Sequence, residues 1–138
     1  MIALRAASAD DCERVYRWNF APDVRAVSND PRAITYEQHI AWYARRLASD
    51  APIWIVEDGG IPVGVLRIES FRISIALGPD ARGRGIGRQA IAAACAVWAR
   101  PVVAEIRADN AASRACFEAC GFVSRDPSRN PLIYEWSP

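Results

Sequence analysis

Apolar positions along the chain switch between a period of two and a period near 3.6, and the switches mark the elements. Ile2–Ala6 predicts a short opening strand. Ser8 with Asp11 makes a capping-box helix start, and that helix runs to about Asn19, where Ala21-Pro22-Asp23 breaks it. Residues 23–34 read as loop or short helix. Thr35 and Gln38 form a second capping box. Tyr36, Ile40, Tyr43 and Leu47 follow at helical spacing and predict a buried stripe, with His39, Trp42 and Arg46 on the neighbouring one. Pro52–Glu57 reads as a strand, Asp58-Gly59-Gly60 as a turn and Ile61–Glu69 as its hairpin partner. Phe71–Leu77 alternates and adds a third strand. A helix over 85–99, a strand over Val102–Ala108 and a helix over Asn110–Cys120, closed by Gly121, come next. Phe122–Ser124 and Leu132–Trp136 predict a closing pair of strands.

The order is β-α-α-β-β-β-α-β-α-β-β without repeats or linker, which predicts an α/β fold in a single domain over 1–138. Its mixed sheet should be antiparallel at first and parallel around helix 85–99.

Composition narrows the chemistry. A net charge of +1 supplies no global field for nucleic acid or an anionic membrane. All 17 basic residues are arginine, which excludes lysine Schiff bases and the lysine of nucleotide phosphate loops. The four cysteines, Cys12, Cys95, Cys116 and Cys120, contain no CxxC pair. Cys116 and Cys120 lie one helical turn apart, but a single histidine in the chain leaves a metal site short of ligands, so small buried thiols are expected. With no signal peptide and no apolar run of spanning length, a cytoplasmic location is expected.

The chemistry-bearing stretch is Ala76-Leu-Gly-Pro-Asp-Ala-Arg82-Gly83-Arg84-Gly85-Ile86-Gly87-Arg88. A strand, a glycine-rich turn and a helix start form an anion site: the first helical amides have no internal partner, the helix dipole favours negative charge, and glycines let the backbone approach a phosphate. The dinucleotide fingerprint needs GxGxxG in the first β-α unit, whereas here the spacing is GxGxG after three antiparallel strands. The phosphate-loop fingerprint needs a lysine the chain lacks.

Arg82-Gly83-Arg84-Gly85-Ile86-Gly87 resembles the RxxGxG coenzyme A pyrophosphate loop of the GNAT (Gcn5-related) N-acetyltransferases. Glu105 to Phe122, in which Asn110 begins a helix and Gly121-Phe122 ends it, is similar to that family's second coenzyme segment. The likeness covers nearly the whole chain. It implies a GNAT-like sheet whose central parallel strands splay, with acetyl-CoA as co-substrate and no metal. It also implies coenzyme contacts from Ile75 and Leu77 on the fourth strand, from Arg82, Gly83, Arg84, Gly85, Ile86 and Gly87, and from Asn110, Ser113 and Phe117. Phe117 departs from the tyrosine that many members carry as proton donor to the leaving thiolate. Cys116, Tyr134, Ser113 or water are alternatives, and a thiol of pKa near 8.5 also leaves as the anion.

The implied reaction is attack of a neutral amine on the thioester carbonyl, with a modest base. Glu105, on the opposite strand face from Ala104 and Ile106, Glu69 at a strand end, and His39 beside Trp42 are the candidate bases. The N-terminal half, with Trp18, Asn19, Arg25 and Trp42, should receive the acceptor. It is similar to the branch that acetylates nucleotide-linked amino sugars, as in pseudaminic acid biosynthesis, and to ribosomal-protein N-terminal acetyltransferases. An arginine can pair with phosphate bidentately, and tryptophan can stack on a base or sugar. A protein N-terminus or an aminoglycoside is the alternative acceptor, and a catalytically silent acyl-CoA-binding module the alternative class. A monomer or homodimer is expected.

Overall fold

The computed structural model describes residues 1–138. Strand β1 (Ile2–Ala6) leads through a 3-10 turn into helix α1 (Cys12–Asn19), followed by α2 (Pro22–Ala26) and α3 (Tyr36–Leu47). Strands β2 (Ile53–Asp58), β3 (Ile61–Glu69) and β4 (Arg72–Leu77) form the expected meander. Helix α4 (Ile86–Trp98), β5 (Val102–Ile106), α5 (Ala111–Ala119), β6 (Val123–Ser124) and β7 (Leu132–Trp136) complete the chain. One seven-stranded sheet runs in the order β1-β2-β3-β4-β5-β7-β6. Every pairing is antiparallel except β4 with β5.

The sheet is covered on both faces. Under α4 and α5 lies the larger core, where Leu66, Ile68 and Ala104 from the strands meet Ile86, Ala90, Ile91 and Ala94 of α4 and Phe117 of α5. The spacing of the α4 residues is that of one helix face, and their small size lets the helix lie close on the strands. Under α1 and α3 lies a smaller core of Val15, Tyr43, Ile53, Ile55, Val65 and Ala76. The smaller apolar cluster leaves room on that face for polar side chains.

The N-terminal capping box forms as read, and Asp11 does more than cap. Its carboxylate accepts Arg5 Nη1 at 2.8 Å, Arg5 Nη2 at 2.9 Å and the Ser8 amide at 2.9 Å, and also contacts Arg14. Buried with this full set of donors, Asp11 locks the start of α1 to β1, and Arg5 foremost among them holds its pKa well below the usual carboxylate range.

Three readings of the pattern are corrected. The buried stripe of α3 is His39, Tyr43 and, partly, Trp42 and Arg46; Tyr36, Ile40 and Leu47 stay 40 %, 45 % and 37 % exposed. Both stripes have helical spacing, so only the packing partners decide which one turns inward. Phe71 belongs to a turn, since Ser70 and Phe71 both adopt left-handed backbone, with φ of 51° and 63°. Strand β5 ends at Ile106, because Arg107 and Ala108 turn away to make the start of α5. A short helix, α2, starts at Pro22 within the expected break and runs into residues 23–34, with Pro22 in its first turn.

Candidate active site

The parallel contact between β4 and β5 is a single bridge, Arg72 opposite Val103, with Val103 N–H donating to Phe71 O at 2.8 Å. Beyond it the two strands part. Gly78 N–H donates to Val63 O at 2.8 Å, so amides at Gly78 and two residues back face β3, and those of Ile75 and Leu77 face the gap. On the other wall the carbonyl of Glu105 points into the same gap and accepts Asn29 Nδ2 at 2.8 Å. The splay expected of the central strands is therefore present, with backbone polar groups on both walls.

At the open end sits the glycine loop. A 3-10 turn (Pro79–Ala81) leads to Gly83 and Gly85, both left-handed with φ of 71° and 76°, and α4 starts at Ile86. Any larger residue would be strained at these two positions. The amides of residues 83–88 have no acceptor in the protein, and they cluster at the helix start where the dipole is positive. That unpaired row fits a polyanion. Gly87 faces α5: a Cβ there would lie 3.4 Å from Cys116 Sγ and 3.6 Å from Leu77 Cδ1, so glycine sets how closely the helices approach. Arg82 caps the Leu77 carbonyl at 3.1 Å and contacts Asp23 of α2, while Arg84 pairs with Asp58 at 2.9 Å. Both arginines brace the loop, and Arg88 is exposed in the first turn beside Gly85.

Asn110 caps α5 by accepting Ser113 N–H at 3.3 Å. Phe117 is buried edge-on against Phe122, with ring centroids 4.9 Å apart, and carries no proton donor. Tyr134 does not supply one to the cleft either: its hydroxyl donates to Glu118 Oε2 at 2.6 Å and accepts Arg114 Nε at 3.3 Å, in a separate hollow beside α5 and β6.

The face of the sheet under α1 and α3 carries the remaining polar side chains. Val65 and Ala76 pair in register, which places Arg67 opposite Ser74 and Glu69 opposite Arg72 on that face. Glu105 reaches Arg72 at 3.2 Å, and Glu69 reaches Arg46 at 3.0 Å. Two of the candidate bases thus sit either side of Arg72, where the strands begin to part. His39 does not join them. It is fully buried among Tyr16, Phe20, Tyr36, Trp42 and Tyr43, and its Nε2 lies 2.9 Å from the Cys12 carbonyl. That bond makes Nε2 the donor and leaves Nδ1 without a partner, and burial pushes the pKa below its ordinary 6.5. A side chain sealed in an aromatic cage cannot take a proton from an acceptor in the cleft.

Of the expected acceptor residues, Trp42 carries the Arg67 guanidinium of this floor on its ring, Arg25 rests over Phe20, Asn19 is buried, and Trp18 packs beside Gly78 and lines a separate hollow of about 450 Å³ with Arg14, Arg17 and Pro79.

Residues 2–123 match the family described as the acetyltransferase (GNAT) domain. The chain belongs to the GNAT family. A search of curated proteins returns no significant match. Among solved structures, a domain from Methanocaldococcus jannaschii DSM 2661 superposes with a TM-score of 0.84 at 22 % identity, covering 100 % of this chain and 99 % of that one. An N-acetyltransferase from Staphylococcus aureus Mu50 gives 0.74 at 21 %, covering 99 % and 98 %. The spermidine N-acetyltransferase from Vibrio cholerae, in complex with CoA and spermine, gives 0.82 at 16 %, covering 97 % and 92 %. At these identities the likeness is one of fold. This GNAT domain is therefore an N-acetyltransferase by family, with a splayed cleft and glycine loop in the positions the sequence assigns them. Sequence reasoning missed Asn29, which crosses to the β5 wall, and Arg67, because neither carries a local motif.

Proposed function

We propose that this protein transfers an acetyl group from acetyl-CoA to a small primary amine, and that the amine belongs to a nucleotide-linked amino sugar. The observation that carries the reading is the gap beyond the single Arg72–Val103 bridge, closed at one end by the unpaired amides of residues 83–88. Those amides and Arg88 would hold the pyrophosphate. The inward amides of Ile75 and Leu77 would take the pantetheine arm, with Asn110, Ser113 and Phe117 on the opposite side. Bound there, the coenzyme supplies a thioester-activated acetyl group.

The chain's own residues orient the partners and manage the protons. Glu105 is the base the geometry favours, since it stands on the acceptor face two residues past Val103, where the gap opens. Arg72 holds one carboxylate oxygen. The other can take the proton lost by the amine, directly or through one water. Glu69 is the second carboxylate of that face. As the new C–N bond forms and the C–S bond breaks, the thiolate departs without a side-chain acid, consistent with Phe117. Trp42, whose ring carries the Arg67 guanidinium, would line the acceptor side of the cleft. Polycationic acceptors are disfavoured by the arginines of the same floor.

Free-thiol release from acetyl-CoA, over a panel of nucleotide-linked amino sugars, N-terminal peptides, aminoglycosides and spermine, tests the reading. Turnover confined to the amino-sugar nucleotides is expected, lost in Gly85→Val, Gly87→Val. Turnover only on cationic acceptors would overturn the substrate assignment. Acetyl-CoA binding with no turnover on any amine would point to a silent binding module.

A further inference from the structure

Resting on the acyl-transfer reading for which face the acceptor occupies, we infer that Arg67 and Arg25 form a binding site for an anionic group, phosphate or carboxylate, carried by the acceptor. Arg67 lies on β3 directly opposite Ser74, so it stands one strand away from the cleft wall, about 5 Å. Its guanidinium rests over the Trp42 ring at 5.1 Å. Arg25 rests over the Phe20 ring at 4.8 Å, and the Phe20 and Trp42 rings both pack on His39, at centroid distances of 6.2 and 5.7 Å. Ring faces position a guanidinium but accept none of its hydrogen bonds in the plane.

The partner count is what points to a ligand. Arg46, the neighbouring cation, is paired with Glu69. Arg72 is paired with Glu105. Arg67 is only partly exposed and makes neither a hydrogen bond nor an ion pair in the protein. Arg25 donates Nη1 to the Asp30 carbonyl, its Nε is buried without a partner, and the Asp30 carboxylate is taken by Arg32. Desolvation lowers the pKa of both; the charges of Glu69 at Arg67 and Asp30 at Arg25 oppose it, and at Arg67 the repulsion of Arg25 and Arg46 adds to it. Two partly desolvated guanidinia that repel each other are costly to the fold alone. Planar forks held on aromatic shelves are suited to bidentate capture of phosphate or carboxylate. Neither the glycine loop nor Glu105 uses these residues, so the site is additional to the coenzyme contacts.

Arginine ¹⁵Nε–Hε spectra of the full chain test the site directly. Inorganic phosphate, acetate and UDP are the three titrants. The Arg67 resonance, assigned by its loss in Arg67→Gln, should shift saturably, and by more than exposed Arg129. Arg25→Gln should weaken that response about ten- to a hundredfold, as loss of charged hydrogen bonds does. A stronger response to phosphate and UDP than to acetate assigns a phosphate; the reverse assigns a carboxylate. An Arg67 resonance that moves with none of the three, or no more than Arg129, overturns the inference. Coenzyme A binding is measured separately: its absence refutes the proposed reaction, while the spectra still decide the anion site.

Discussion

Glu105, His39 and Asp11 show how an ionisable side chain takes its role from its surroundings. Glu105→Gln should lower kcat by about a hundredfold or more with acetyl-CoA affinity and Tm kept, since a base is lost while the fold is kept. An unchanged kcat would return the role to Glu69 or to water. His39 bears on stability. Its folded-state pKa lies below 6.5, so the unfolded chain takes up the proton first. Stability should be full above about pH 6.5 and fall as the pH drops, and His39→Gln should flatten that slope in denaturant titrations. Asp11 acts lower on the scale. Its depressed pKa means its contribution is present above about pH 4 and lost on acidification below it. Asp11→Ala should cost about 1–3 kcal/mol at neutral pH, since Arg14 loses its acceptor and Arg5 keeps only Glu57, and a urea midpoint within error of wild type would reject that account.

At the scale of elements, the Ser70-Phe71 turn governs where the sheet opens. Both residues are left-handed, the pattern of a type I′ hairpin, for which Asn-Gly is the favoured pair. Phe71 is kept by its neighbours: its ring meets Trp98 edge-on at 5.9 Å, Arg100 covers Trp98 at 3.8 Å, and its carbonyl holds the Val103 bond at the root of the cleft. Left-handed strain of about 1–3 kcal/mol for each residue outweighs an aromatic pair of about 0.5–1.5 kcal/mol. Ser70→Asn with Phe71→Gly should therefore raise Tm, and a fall would show that the stack holds the turn more strongly than the strain opposes it. Capping boxes, the glycine loop and the Asn110 cap were legible because each is a local code, complete within a few residues. The α3 stripe was not, since two stripes of equal period competed and contact with α1 and the sheet decided between them. Phe71 reads as strand in the pattern because alternation cannot register a backbone of positive φ.

At the scale of the whole molecule, the two faces of the sheet divide the work: a continuous apolar core under α4 and α5 supplies rigidity, and the thinner core under α1 and α3 leaves a polar floor beside the cleft. Segments far apart in sequence meet across it, as Asn29 does with the Glu105 carbonyl and Arg107 with the Ala26 carbonyl at 2.8 Å. The sequence by itself determined the order of elements, the glycine loop at Arg82–Gly87 and the family, because periodicity, caps and glycine spacing are properties of contiguous residues. The tertiary structure alone decided that His39 is sealed away, that Tyr134 is committed to Glu118 and Arg114, and that Arg67 stands unpaired beside Arg25. Burial and charge pairing are sums over neighbours that the fold brings together from distant parts of the chain, so no local pattern encodes them.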